Sequence, residues 1–167
     1  MQVKLRGTDM KKTIALIILV MMIFAMTGCS RDSNLYRQTP DEGATVYALE
    51  GTLNAEAEGG KLSVSFESNL MTGTVVLISV ESITGEQLAS EKASIEEGKV
   101  LTVSFDIDET LKGKKVYVSV SASPNTGKQP SEVKEAYGKW FQNIDGKNIV
   151  WDKTQNVFLV LSDKIEL

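Results

Sequence analysis

The first residues in this 167-residue sequence whose types and spacing suggest chemistry are the carboxylates Asp106, Asp108 and Glu109. Carboxylates at a strand end coordinate calcium in extracellular sandwich proteins. The pair Asp106 and Asp108 also has the composition of a carboxylate-based hydrolase site, which needs no histidine. Paired acids are equally common in solvated turns. We favour the solvated turn and predict no metal site, with calcium binding and hydrolysis as the alternatives.

Histidine is absent from the sequence, and its absence removes several classes of enzyme. Histidine-based acid–base catalysis, serine or cysteine nucleophiles activated by histidine, and the usual zinc sites all need that side chain. The residues therefore predict a protein that is not an enzyme and that binds no dissociable cofactor.

The largest concentration of aromatic rings consists of Tyr137, Trp140, Phe141 and Trp151. Exposed aromatic faces stack on sugar rings or on the side chains of a partner, so one hypothesis is a surface that binds carbohydrate or cell wall. The alternative is that the rings pack a short helix and the following loop onto a sheet. We favour packing, because this helix has no other large apolar residues to anchor it.

The single cysteine, Cys29, follows a segment with the three-part pattern of a secretory signal. Lys11 and Lys12 precede an apolar stretch over residues 14–26, and two small residues then lead to the cysteine. The stretch is shorter than the roughly 20 apolar residues of a membrane span. An uncleaved signal anchor is the alternative interpretation.

The tetrapeptide of residues 26–29, Met-Thr-Gly-Cys, resembles the lipobox of bacterial lipoproteins. The resemblance implies that residues 1–28 are a signal peptide and that Cys29 carries a diacylglyceryl group and an N-acyl chain. Several acyl chains anchor a protein firmly, since each buried methylene contributes about 0.8 kcal/mol. The expected location is the cell membrane, with the protein facing the extracytoplasmic side. Met10 is a candidate true start, because it directly precedes the two lysines.

The chain from Cys29 onward is acidic, with 14 basic and 21 acidic side chains and a net charge near −7. A surface of this sign repels nucleic acid, which we exclude as a partner. Residues 29–44 are polar and predict a flexible tether. Residues 45–167 have the length of one domain, and without a second cysteine that domain forms no internal disulfide.

Alternating polar and apolar residues predict strands at 62–67, 101–107 and 116–122. The run 75–80, which is apolar almost throughout, predicts a central strand covered on both faces. Glycine-containing breaks at regular spacing separate these runs and favour an all-β sandwich. Later in the chain, Pro130 begins a predicted short helix that ends at Gly138. Two further strands are predicted over residues 148–151 and 157–161.

The strand pattern resembles an immunoglobulin-like or fibronectin type III-like antiparallel β-sandwich. Residues 62–67, with Phe66, are similar to the second strand of such domains, and Leu111 followed by residues 116–122 is similar to the penultimate strand. Residues 127–131 fall where those domains have a loop. Tyr117 has the spacing of the family's tyrosine corner, yet its alternation places it on the face opposite the valines. The resemblance implies a fold and no particular function.

The sequence as a whole predicts a lipid-anchored envelope module that binds another envelope or secreted protein, through sheet edges or the loop over residues 123–130. A glycan-binding module that uses the late aromatic group is the alternative. A carboxylate-based hydrolase is the third and least favoured hypothesis.

Overall fold

The computed structural model describes residues 39–152 and 154–167. The predicted signal peptide, the lipidation site Cys29 and the tether up to residue 38 lie outside the described residues. In the described part, no helix combines the length and the apolar character needed to cross a membrane.

The described residues form a mainly β structure with one short helix. Their elements, in chain order, are β1 (Tyr47–Ala48), β2 (Gly51–Glu58), β3 (Lys61–Ser68), β4 (Val75–Ser82), β5 (Gln87–Ser94), β6 (Leu101–Asp106), β7 (Lys115–Ala122), α1 (Ser131–Tyr137), β8 (Ile144–Asp145), β9 (Ile149–Asp152), β10 (Gln155–Leu161) and β11 (Ile165–Glu166).

The long strands form two antiparallel sheets that pack face to face. The smaller sheet has the order β2-β3-β6, and the larger has the order β5-β4-β7-β10-β9, with β11 also paired to β7. Among the long strands, β2, β3 and β6 thus face β4, β5, β7 and β10. The predicted antiparallel β-sandwich is confirmed. Its fourth long strand, β5, pairs with the third, whereas an immunoglobulin constant domain places the fourth strand in the sheet of the first.

Alternation along the strands builds the core between the sheets. Leu62, Val64 and Phe66 of β3 are buried, as are the valines and Ala122 of β7. The Phe66 ring meets the Phe158 ring of the other sheet edge to face, with 6.1 Å between centroids. Each such side chain contributes roughly 1.5–3 kcal/mol by leaving water. The inward faces of β3, β7 and β10 therefore hold the two sheets together.

Two expectations about individual strands need correction. The run 75–80 lies in β4, which is central, but its second face is only half covered, because Val75 and Leu77 point away from the core and remain partly exposed. The strand predicted over residues 157–161 forms as β10, yet the chain returns afterwards and adds β11, with Ile165 opposite Val116.

Residues 123–154, between β7 and β10, form an insertion that contains α1, β8 and β9. Gln129 is buried and ties the start of this insertion to β4. Its side-chain oxygen accepts the Val75 amide at 3.0 Å, and its amide group donates to the carbonyls of Val75, Ser123 and Thr126 at 2.8, 3.0 and 3.1 Å. One side chain thereby satisfies four backbone groups of the sandwich and the loop.

We predict that Gln129→Ala lowers the free energy of unfolding by about 3 kcal/mol, because each buried backbone group left unpaired costs about 1–3 kcal/mol. Urea denaturation measures the change. Gln87→Ala, at an exposed position of β5, is the matched control and should change stability by less than about 0.5 kcal/mol. A loss at Gln129 no greater than that of the control would contradict the proposed tie.

Candidate functional site

Tyr137, the last residue of α1, lies in the core and holds the insertion against the sandwich. Its side chain is 1% exposed. The ring meets those of Tyr47 and Phe141 edge to face, with centroid distances of 5.4 and 5.3 Å. Its hydroxyl accepts the Met71 amide at 2.7 Å. Burial raises the pKa of the Tyr137 phenol, because the charged form would lose its hydration.

An unusual backbone turn follows the helix and sends consecutive aromatic residues in different directions. Gly138 has φ 84°, and Phe141 has φ 54°, a left-handed conformation that costs a side chain such as phenylalanine roughly 1–2 kcal/mol. A Cβ atom at Gly138 would clash with the Gln142 side chain. As a result Phe141 is fully buried, while its neighbour Trp140 stays half-buried at the surface.

Hydrogen bonds with the buried residues Gln142 and Asn156 fix the Trp140 backbone. The Trp140 amide donates to Oε1 of Gln142 at 2.8 Å, and its carbonyl accepts the Asn156 amide at 3.0 Å. The Asn156 side chain also donates to the Phe141 carbonyl at 3.0 Å. Asn156 lies opposite Trp151 in the β9–β10 ladder, so both tryptophans belong to the same region.

The same loop is tied to the beginning of the described chain through Asp41. The Asp41 carboxylate accepts hydrogen bonds from the side-chain amides of Gln142 and Asn143, at 3.0–3.2 Å. The Asp41 amide donates back to Oδ1 of Asn143 at 2.9 Å. Within the described chain, Asp41 therefore contacts the sandwich, although it precedes the predicted domain start at residue 45.

The four aromatic residues singled out from the sequence thus divide into two pairs. Tyr137 and Phe141 are core residues, in agreement with the packing interpretation. Trp140 and Trp151 are both half-buried, which leaves part of each ring at the surface. The group does not form one continuous exposed platform.

Trp140 lies beside an open groove of about 420 Å³. Nζ of Lys139 sits 4.9 Å from the centroid of the Trp140 ring, within the range of a cation–π interaction. The groove has apolar, amide, acidic and basic side chains on its walls. They belong to Pro124, Asn125, Lys134, Glu135, Lys139 and Trp140.

The acidic residues Asp106, Asp108 and Glu109 each have a separate local partner. Asp106 forms an exposed ion pair with Lys61 at 2.7 Å, and Glu109 lies 3.5 Å from Lys112. Oδ1 of Asp108 accepts the hydroxyl and amide of Thr110, and these bonds lower the pKa of its carboxyl. Among the described residues, no three histidine, cysteine or acidic side chains are grouped so as to hold a metal ion.

Sequence reasoning overlooked an apolar patch on the outer face of the larger sheet, the face turned away from β3. We use the name outer face for this whole surface of the larger sheet. Leu161, Val150 and Tyr117 are 61%, 42% and 37% exposed there, and Leu77, Val157 and Leu159 are partly exposed beside them. Register brings them together, because Leu77 and Leu159 flank Ser121 across three strands. The run of β4 that is apolar almost throughout was the available signal for this patch.

Comparison of the chain with protein-family models, with curated proteins and with solved structures finds no match.

We predict that stability falls above pH 10 through ionisation of Tyr137. The folded pKa lies above the ordinary value near 10, so the full stabilisation is present below pH 10 and is lost as pH rises through the folded pKa. The free energy of unfolding should fall more steeply with pH in the wild type than in Tyr137→Phe, by up to about 1.4 kcal/mol per pH unit. Urea denaturation from pH 8 to 11 measures both slopes.

Tyr117→Phe is the control for the loss of a phenol, because Tyr117 lies on the outer face and forms no hydrogen bond through its hydroxyl within the described chain. It should keep the wild-type slope. Equal slopes for wild type and Tyr137→Phe would contradict the assigned role of the buried phenol.

Proposed function

We propose that this protein is a non-enzymatic surface lipoprotein whose sandwich binds another envelope or secreted protein through the outer face. The supporting observation is the exposed apolar patch that contains Leu161, Val150 and Tyr117. Contiguous apolar surface of this kind marks interaction sites, since single exposed apolar residues are ordinary but clusters are costly in water.

The outer face has the composition of a contact surface with a polar rim. Ser79 and Ser119 lie between its apolar residues and are nearly buried. The Ser119 hydroxyl donates to Glu81 at 3.5 Å, at the edge of the patch. Tyr117 offers a ring and a hydroxyl, a combination that is enriched at interfaces because one end is apolar and the other polar. A partner with a complementary apolar surface would bury these groups.

Attachment to the membrane is the second part of the proposal, and the lipobox-like residues ending at Cys29 support it. Lipid on Cys29 would hold the sandwich at the extracytoplasmic surface, where an envelope or secreted partner is present. Several acyl chains make such an anchor durable.

Glycan binding is the second candidate function. The observation in its favour is that Trp140, one of the four late aromatic residues, remains half-buried beside a groove that carries both hydrogen-bonding and charged side chains. Nothing comparable favours hydrolysis, because Asp106 and Asp108 have unrelated partners.

Site-specific photocrosslinking in cells tests the protein-binding proposal. A benzophenone amino acid replaces Leu161 on the outer face or, as control, Ile83, which is 58% exposed in the β4–β5 turn. We expect one discrete adduct of defined mass from position 161 and none from position 83. Absence of an adduct at position 161, or equal adducts at both positions, would contradict binding through the outer face.

The same cells, grown with labelled palmitate, test the anchor. The full chain should take up label and lose the mass of residues 1–28, whereas Cys29→Ser should remain unlabelled and unprocessed. Label on the Cys29→Ser chain would show that the anchor is assigned to the wrong residue.

A further inference from the structure

We infer that the groove beside Trp140 binds an acidic polysaccharide, a chain of sugar or polyol units that carry carboxylate or phosphate groups. The inference deepens the second candidate function and rests on it. Protein binding by the outer face is independent of it.

The backbone that carries the Trp140 ring is held in place before any ligand arrives. Its two aromatic neighbours in the chain, Tyr137 and Phe141, are anchored in the core. Both backbone polar groups of Trp140 are hydrogen-bonded, to Gln142 and Asn156. The strained φ of Phe141 lets the Phe141 ring enter the core while the Trp140 ring stays at the surface. Strain of this kind clusters at functional sites, and a backbone that is already ordered loses little entropy on binding.

The groove wall combines apolar and polar side chains. Trp140 and Pro124 supply the apolar surface against which the carbon face of a sugar ring packs. Asn125 and Glu135 supply polar groups for hydroxyls, and Asn125 is oriented by its hydrogen bond to Gln155 at 3.0 Å. An apolar wall with a few placed polar groups is the usual composition of a small-molecule site.

Lysines outnumber acidic residues around the groove. Lys128, Lys134 and Lys139 line this groove or the adjoining one, against two acids, Glu132 and Glu135. None of these lysines takes part in an ion pair within the described chain, where the ion pairs join Lys61 to Asp106, Lys99 to Glu96 and Lys112 to Glu109. A local excess of positive charge on an acidic protein selects an anionic ligand.

The candidate site extends beyond the groove beside Trp140. A second groove, of about 460 Å³, runs along the start of α1 and is lined by Lys128, Lys134 and Ser131 among others. Lys134 belongs to both grooves, so they adjoin at one side chain. Two adjoining grooves with a shared cation suit successive units of a polymer better than a single small anion.

Binding is tested on the full-length chain in a sugar-free zwitterionic detergent, with Trp151→Phe so that Trp140 is the sole tryptophan. The probes are an oligogalacturonate, an oligomer of glycerol phosphate and a neutral glucose hexasaccharide. We expect saturable changes in Trp140 fluorescence with at least one acidic oligomer, weakened by added salt. The neutral oligomer should bind at least tenfold more weakly.

The matched variants separate the site from general charge. Lys134→Gln with Lys139→Gln should weaken binding of the acidic oligomer about tenfold, the effect of losing a charge-assisted contact. Lys114→Gln with Lys115→Gln removes the same charge from exposed residues at the other end of β7 and should leave binding unchanged. Equal loss in both double variants would overturn the inference, as would no loss in either. Thermal unfolding checks that each variant is folded.

The remaining outcomes distinguish the acidic-ligand inference from glycan binding in general. Equal binding of neutral and acidic oligomers at Trp140 would overturn the acidic-ligand inference and leave glycan binding standing. No binding of any oligomer would overturn both. Binding to phosphatidylglycerol vesicles as strong as to the acidic oligomers, and lost in the Lys134 and Lys139 variant, would assign the groove to a lipid surface and overturn the polysaccharide.

Discussion

The burial of Tyr137 and Phe141 at one end of the sandwich is the interaction on which the late part of the chain depends. The Tyr137 hydroxyl holds the β3–β4 connection through Met71, and its ring packs on Tyr47 of β1. Phe141 adopts a left-handed backbone conformation to reach the same core. Burying an aromatic ring outweighs the roughly 1–2 kcal/mol of backbone strain. Gln129 ties the start of the insertion to β4. The helix α1 and the loop that follows it are therefore part of the sandwich.

Alternation in the sequence predicts the strands that have large inward residues, because β3, β6 and β7 each place valine, leucine or phenylalanine at every second position. The same reasoning misses β2 and β5, whose partly covered positions are often alanine and whose remaining residues are polar. Their hydrophobic signal is weak because alanine contributes little apolar surface at the inward positions. The two-residue ladder of β1 with β8 joins residues nearly a hundred positions apart, and no local pattern indicates it.

The candidate surfaces were predictable only in part, for a physical reason. Sequence identifies Tyr137, Trp140 and Phe141 as neighbours, but a single positive φ at Phe141 decides which rings enter the core. The outer face depends on register between distant strands, which sets Leu77 beside Leu159. The acidic cluster was visible in sequence, but each of its three carboxylates has a different partner in the structure. The outer face and the Trp140 groove come together at β10, where Val157 of the outer face directly follows Asn156, and the two side chains point to opposite faces of the sheet.

Native-state hydrogen exchange of two amides tests most directly whether the insertion is built into the sandwich. The Met71 amide is held by the Tyr137 hydroxyl at 2.7 Å, and the Val75 amide by Gln129 at 3.0 Å. If both side chains bind as described, these amides exchange with the same opening free energy as the core amide of Ile78, through global unfolding. Opening of Met71 or Val75 at a free energy several kcal/mol below that of Ile78 would show that the insertion detaches on its own, and would contradict the account.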